Sequence, residues 1–164
     1  MKTLINWVAG ALIAMTASTA DAQPEGLDPE NTIFLDLEYG RVVIELRPDL
    51  APQHTERFKE LARRGFYDGL VWHRVIEGFM AQTGDPEGDG TGGSDLPNLP
   101  AEFNAEDHVR GSLSMARASD INSANSQFYV VLDHAPHLNE QYTYFGKVVE
   151  GMEFVDQIRK GNPA

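Results

Sequence analysis

Arg74, Phe79, Met80 and Gln82 stand close together in the sequence and combine one cation, two apolar side chains and one amide. Group transfer needs a nucleophile, a tuned acid and base, or a metal ion, and these four residue types supply none of them. They do offer an apolar pocket with charged and neutral hydrogen-bond donors. A site of this kind suits a reaction that breaks no covalent bond.

Rotation about the peptide bond that precedes a proline is such a reaction, and its barrier is roughly 18 to 20 kcal/mol. We expect it to need no cofactor and no metal. The spacing of Gly88, Gly90 and Gly93 matches a dinucleotide-binding loop, but it stands among acidic residues and outside a strand-to-helix transition. The histidines include no pair with metal-ligand spacing, and the chain has no cysteine, so the sequence does not predict a structural zinc site.

The elements that must position these residues are mostly strands. Alternating apolar residues predict a hairpin over 33–37 and 42–46, and Pro52 opens a helix that Gly65 ends. The further predicted elements are short strands over 71–76 and 79–83, strands over 112–116, 127–132 and 144–149, and a helix over 152–160. The pattern therefore predicts a mainly β domain, a closed antiparallel β-barrel capped by two α-helices.

The first residues predict a signal peptide over 1–22. Lys2 is followed by an apolar run over 4–17 and by Ala20-Asp21-Ala22, a small-x-small cleavage pattern. Cleavage after Ala22 and cleavage after Ala20 both remain open. Residues 23–31 are predicted to be a flexible N-terminal tether and residues 32–164 the folded domain. Together with the absence of cysteine, the signal indicates export to the periplasm.

The charge balance limits the classes of partner that the chain can bind. The chain has 25 acidic against 13 basic residues, a formal net charge of −12. Polyanions and anionic lipid headgroups are repelled by such a surface. We expect a monomer that binds no nucleic acid and, after signal cleavage, no membrane.

Three motifs carry a resemblance to a known family. The stretch H-R-V-I-E-G-F-M-A-Q-T-G-D at 73–85, with S-M-A at 114–116 and S-Q-F at 126–128, resembles the cyclophilin-type peptidyl-prolyl isomerases. The resemblance extends from Thr32 to Lys160 and implies the cyclophilin fold and an isomerase activity.

The resemblance implies that Arg74 is the principal catalytic residue, with Gln82 as the second. An arginine can donate to the proline nitrogen as amide conjugation is lost on rotation, a contact that is strongest in the twisted state. The residues implied to bind the substrate are Phe79, Met80, Ala116, Arg117, Ala118, Gln127, Tyr129, Leu138 and Tyr142.

The chain departs from the family pattern at several positions. Tyr129 stands where many members have phenylalanine, His137 where cyclosporin-sensitive members have tryptophan, and Tyr142 where those have histidine. Members also continue past the last helix with a strand that helps to close the barrel. Two alternatives remain: the sequence is a fragment, or the barrel lacks this last closing strand.

The leading hypothesis is an exported isomerase that acts on proline-containing polypeptides and assists their folding. The alternative is a proline-peptide binding module or chaperone with little turnover, which would use the same groove. Replacing Arg74 by alanine separates the two, because an isomerase should lose most of its turnover while a binder should lose only some affinity.

Overall fold

The computed structural model describes residues 24–162, and the predicted signal peptide lies outside them. The elements, in chain order, are β1 (Thr32–Leu37), β2 (Gly40–Leu46), α1 (Pro52–Arg63), β3 (Arg74–Ile76), β4 (Met80–Thr83), β5 (Ser112–Met115), β6 (Phe128–Val131), β7 (Tyr144–Glu150) and α2 (Met152–Val155). No helix in this part of the chain has the length and apolar character needed to cross a membrane.

The strands form one antiparallel sheet in the order β1-β2-β7-β5-β6-β4-β3. A mainly β, cyclophilin-type fold with two helices is confirmed, but the sheet is an open half-barrel because β1 and β3 are its two edges. Val75 of β3 makes one further antiparallel bridge, to Gly161. A cleft of about 850 Å³ is lined by β1 and by the segment that leads into β3.

The main core lies between the sheet and α1. The ring of Phe58 in α1 contacts three other aromatic rings. Its centroid lies 4.9 Å from that of Phe128 and 5.3 Å from that of Phe145, both in the sheet, and 5.0 Å from that of Tyr67. Phe58 and Leu61 are both buried, as their shared helical face predicts. This packing fixes α1 against the sheet.

Two predicted segments differ in detail. The last helix was expected over 152–160, but α2 ends at Val155 and the chain continues in tighter turns, with Gln157 and Ile158 bonded to carbonyls three residues earlier. In the predicted tether, residues 29–31 form a single helical turn because the Asp28 side chain accepts from the backbone N–H of Glu30.

Candidate active site

The hairpin of β3 and β4 brings the two predicted catalytic residues together. Its register pairs Arg74 with Gln82 and Ile76 with Met80. Gly78 allows the tight turn because its φ is +68°, a backbone conformation that side chains disfavour. Residues directly opposite each other on paired strands point to the same face, so Arg74 and Gln82 lie side by side.

A chain of hydrogen bonds orients these side chains. Gln127 Nε2 donates to the carbonyls of Gly90 at 3.0 Å and Gly92 at 2.8 Å, so its Oε1 faces Gln82 and accepts from Gln82 Nε2 at 2.8 Å. Gln82 Oε1 in turn faces Arg74 and accepts from its Nη1 at 3.5 Å. The loop over 84–93, called the glycine loop below, therefore sets the orientation of both amides and directs the Gln82 oxygen toward the Arg74 guanidinium.

Asp85 holds that glycine loop in place, a role that the sequence did not predict. It is buried and accepts from the backbone N–H groups of Glu87, Asp89 and Gly90. Burial by itself would raise the pKa of Asp85, but these donors outweigh it and hold the pKa below its ordinary value. The carboxylate thus stays charged and keeps the carbonyl of Gly90 aimed at Gln127.

A cavity of about 290 Å³ lies beside Arg74, and Phe79, Met80 and Leu138 form an apolar part of its lining. Nine predicted site residues line it: Arg74, Phe79, Met80, Gln82, Ala116, Arg117, Tyr129, Leu138 and Tyr142. The other two, Ala118 and Gln127, line an adjoining cavity of about 430 Å³ that shares Gln82, Gly90, Ala116 and Arg117 with the first. The structure therefore brings all eleven predicted residues to one continuous groove.

The aromatic wall of the cavity contains the residues at which the chain departs from the family pattern. The rings of Tyr129 and Tyr142 meet edge to face with centroids 5.9 Å apart, and His137 packs on Phe79 at 5.3 Å. The Arg117 guanidinium lies over the Tyr142 ring at 4.6 Å. Substitutions in this wall are thus accommodated by packing among the new side chains.

Behind the wall, a buried polar network approaches the Tyr129 hydroxyl. Asn139 Nδ2 donates to Asp107 at 2.6 Å, so its Oδ1 accepts from His108 Nδ1 at 3.0 Å, and His108 Nε2 accepts from the Ser114 hydroxyl at 2.8 Å. The Tyr129 hydroxyl is buried beside Ser114, without a hydrogen-bond partner within residues 24–162. Burial raises the pKa of Tyr129, so the hydroxyl keeps its proton.

His73 precedes Arg74 in the chain, and the alternation of strand side chains would place it on the opposite face of the sheet. It precedes the first residue of β3, so the alternation does not reach it, and both residues line the cavity. It is a packed histidine whose two ring nitrogens are buried without partners in the described part of the chain. Burial lowers the pKa of His73, which favours the neutral ring.

The groove combines a cavity with an apolar wall, a guanidinium and oriented amides. Among residues 24–162, no group of three or more histidines and carboxylates could hold a metal ion. The arrangement can hold an apolar ring and stabilise charge on an adjacent nitrogen or oxygen.

Comparisons with known proteins agree with this chemistry. The family described as "Cyclophilin type peptidyl-prolyl cis-trans isomerase/CLD" matches residues 32–164. A "Probable peptidyl-prolyl cis-trans isomerase" of Brucella suis is 50% identical over 167 residues, 95% of this chain and 85% of the relative. "Peptidyl-prolyl cis-trans isomerase B" of Bacillus subtilis is 43% identical over 130 residues, 79% of this chain and 90% of the relative.

Solved structures show the same fold. A cyclophilin from Hirschia baltica superimposes with a TM-score of 0.77 at 28% identity, covering 84% of this chain and 71% of the other. A second structure is that of a cyclophilin type peptidyl-prolyl cis-trans isomerase of Cryptosporidium parvum, crystallised in the presence of the dipeptide Ala-Pro. It superimposes with a TM-score of 0.74 at 32% identity, covering 77% of this chain and 84% of the other.

Proposed function

Because the chain belongs to the cyclophilin-type peptidyl-prolyl cis-trans isomerase family and has that family's activity, we propose that it isomerises X-Pro bonds in exported polypeptides and assists their folding. The observation that carries the proposal is the guanidinium of Arg74 beside the apolar side chains of Phe79, Met80 and Leu138 in one cavity. Uncatalysed X-Pro exchange takes tens of seconds or longer, slow enough to limit folding.

The proposed mechanism relies on contacts that strengthen as the bond twists. The proline ring occupies the cavity formed by Phe79, Met80 and Leu138. When conjugation is lost, the proline nitrogen gains a lone pair, to which Arg74 donates. This contact favours the twisted state over both planar isomers, which lowers the barrier instead of merely tightening binding.

Gln82 takes a positioning role in this proposal. Its amide nitrogen is already bonded to Gln127 and its oxygen faces Arg74. Both amides keep the guanidinium in one orientation, so less ordering is needed when the substrate binds.

The isomerase test uses the mature chain and a short X-Pro peptide. Arg74→Ala is expected to lower kcat/KM by about a hundredfold or more, a typical loss for a residue that stabilises transition-state charge. Arg110→Ala is the matched control, because Arg110 pairs with Asp156 and does not line the groove. Circular dichroism checks that all three proteins fold. Equal turnover by the wild type and Arg74→Ala would contradict the mechanism.

Export is tested by expressing the full chain in a Gram-negative host. The signal pattern around Ala20 and Ala22 supports secretion. We expect the periplasmic fraction to contain a chain that starts at Gln23, or at Asp21 if the earlier site is used, as measured by intact mass. A chain that keeps its first 22 residues and stays in the cytoplasm would contradict export.

A further inference from the structure

The basic side chains of this acidic protein differ in whether a carboxylate lies beside them. Most basic side chains on its surface pair with a carboxylate within 4 Å; examples are Arg41, Arg47, Lys59, Arg63, Arg64, Arg110 and Lys147. Within residues 24–162, five basic side chains have no such partner, and two of them, Arg74 and Arg117, line the groove; the others are Arg57, Arg159 and Lys160. Positive charge is therefore left free where the substrate binds.

Arg117 is held in place by neutral groups. Its Nε and Nη2 donate to the carbonyl of Gln141 at 3.3 and 2.9 Å, and its Nη1 donates to the carbonyl of Ala118 at 2.9 Å. Its stacking on Tyr142 fixes the plane of the guanidinium. A guanidinium has five N–H groups, so two remain available to a ligand.

Among residues 24–162, Arg117 is the only charged side chain that lines the second cavity, of about 430 Å³. The remaining lining consists of neutral residues, including Thr91, Ser94 and Asn125. Behind Asn125 lies the buried Arg57, which donates to the carbonyls of Asn125 at 3.3 Å and Pro97 at 2.6 Å. One cation thus lines this cavity, and a second is hydrogen-bonded to the backbone of a lining residue.

The first cavity, unlike the second, has a carboxylate in its lining. Asp89 lines it and accepts from the backbone N–H and the hydroxyl of Thr91. Asp89 does not line the second cavity. The second cavity therefore favours an anionic group over a cationic one.

We propose that the second cavity receives an acidic side chain of the polypeptide whose proline occupies the first cavity, and that Arg117 determines this preference. The inference rests on the proposed function of the groove. Because the two cavities share residues and an extended chain rises about 3.3 Å per residue, the acidic side chain belongs within about three residues of the proline.

The test uses the full chain and blocked heptapeptides with a single proline. One position, moved from three residues before the proline to three after it, carries Glu, Gln or Lys. At one of these positions we expect kcat/KM to fall in the order Glu, Gln, Lys, with a Glu-to-Lys ratio of about tenfold at low salt that shrinks as salt is added. Arg117→Gln should bring that ratio close to one, and Arg117→Glu should invert it.

The ratio within each variant separates charge preference from a general loss of activity. Arg110→Gln is the matched control and should keep the wild-type ratio. A wild-type enzyme that turns over all peptides equally, or an Arg117→Gln variant that keeps the ratio, would overturn the inference and leave the isomerase function intact. If no peptide is turned over, the proposed function fails, and calorimetric dissociation constants of the same peptides decide the inference: Glu must still bind more tightly than Lys.

Discussion

Within the described residues, the Tyr129 hydroxyl is buried without a hydrogen-bond partner, whereas the nearby Ser114 and His108 side chains are hydrogen-bonded. The Ser114 proton is committed to His108, so Ser114 could only accept from Tyr129, and that bond is not formed within the described residues. A buried hydroxyl without a partner costs about 1 to 3 kcal/mol of stability. The ring itself packs well against Tyr142.

Tyr129→Phe should therefore raise the free energy of unfolding by about 1 kcal/mol, because it removes the unpaired hydroxyl and keeps the ring. Tyr67→Phe is the matched comparison: the Tyr67 hydroxyl donates to the carbonyl of Ser126 at 3.1 Å, so its loss should lower stability by about 1 kcal/mol. Urea unfolding at neutral pH measures both. If Tyr129→Phe does not raise the free energy of unfolding, or lowers it as much as Tyr67→Phe does, the Tyr129 hydroxyl is not an unpaired buried group.

At the scale of elements, α1 depends on a residue far away in the sequence. Its N-cap residue, Ala51, offers no side-chain acceptor. Glu102 replaces that cap: it accepts from the backbone N–H groups of Gln53 and His54, each at 3.1 Å, and from His54 Nδ1 at 2.7 Å. A carboxylate at a helix N-terminus also interacts favourably with the helix dipole.

The carboxylate of Glu102 is maintained by those donors. Burial alone would raise the pKa of Glu102, but the hydrogen bonds from the His54 ring and from the backbone of His54 and Gln53 outweigh it and hold the pKa below its ordinary value. The Glu102 carboxylate is therefore charged at neutral pH, and it ties the chain segment around Glu102 to the start of α1.

Glu102→Gln should lower the free energy of unfolding by about 2 kcal/mol, because an amide cannot accept from all these donors and lacks the charge. Glu38→Gln, an exposed change in the turn between β1 and β2, is the control and should stay within about 0.5 kcal/mol of the wild type. Chemical denaturation followed by circular dichroism gives both values. A loss at Glu102 no larger than at Glu38 would show that the cap does not support the helix.

At the scale of the whole molecule, buried histidines link stability to pH. Burial lowers the pKa values of His54, His73 and His108 below the ordinary value. The unfolded chain binds protons at these positions near pH 6.5, where the folded protein does not. Stability is thus fully present above about pH 6.5 and is lost as pH falls toward the folded-state pKa values.

We expect the free energy of unfolding to decrease by about 1 kcal/mol or more between pH 7 and pH 5. Buried carboxylates such as Asp85 and Glu102, whose pKa values are lowered, add losses only at lower pH, so this window isolates the histidines. Urea titrations at several pH values measure how the free energy of unfolding changes with pH. His54→Gln should reduce this pH dependence, whereas the exposed His134→Gln should not. A free energy that stays constant over this range would contradict the assignment.

The sequence by itself determined the elements and the membership of the groove. Apolar alternation identified the strands, and the short separation of Arg74 and Gln82 put them on one hairpin, where pairing geometry leaves little freedom. The resemblance carried by the motifs at 73–85, 114–116 and 126–128 implied eleven site residues, and all eleven are among the residues that line the two cavities. The strands and the hairpin could be predicted because they depend on local periodicity and on fixed pairing geometry, whereas the site residues came from the resemblance to the family.

Only the tertiary structure decided how the side chains are oriented and which distant groups meet. The direction of the Gln82 and Gln127 amides depends on the carbonyls of Gly90 and Gly92, which Asp85 positions. The cap on α1 comes from Glu102, and the sheet remains open between β1 and β3. Such contacts join residues that are far apart in the chain, and hydrogen-bond direction follows from the three-dimensional position of each donor and acceptor, which no local pattern specifies.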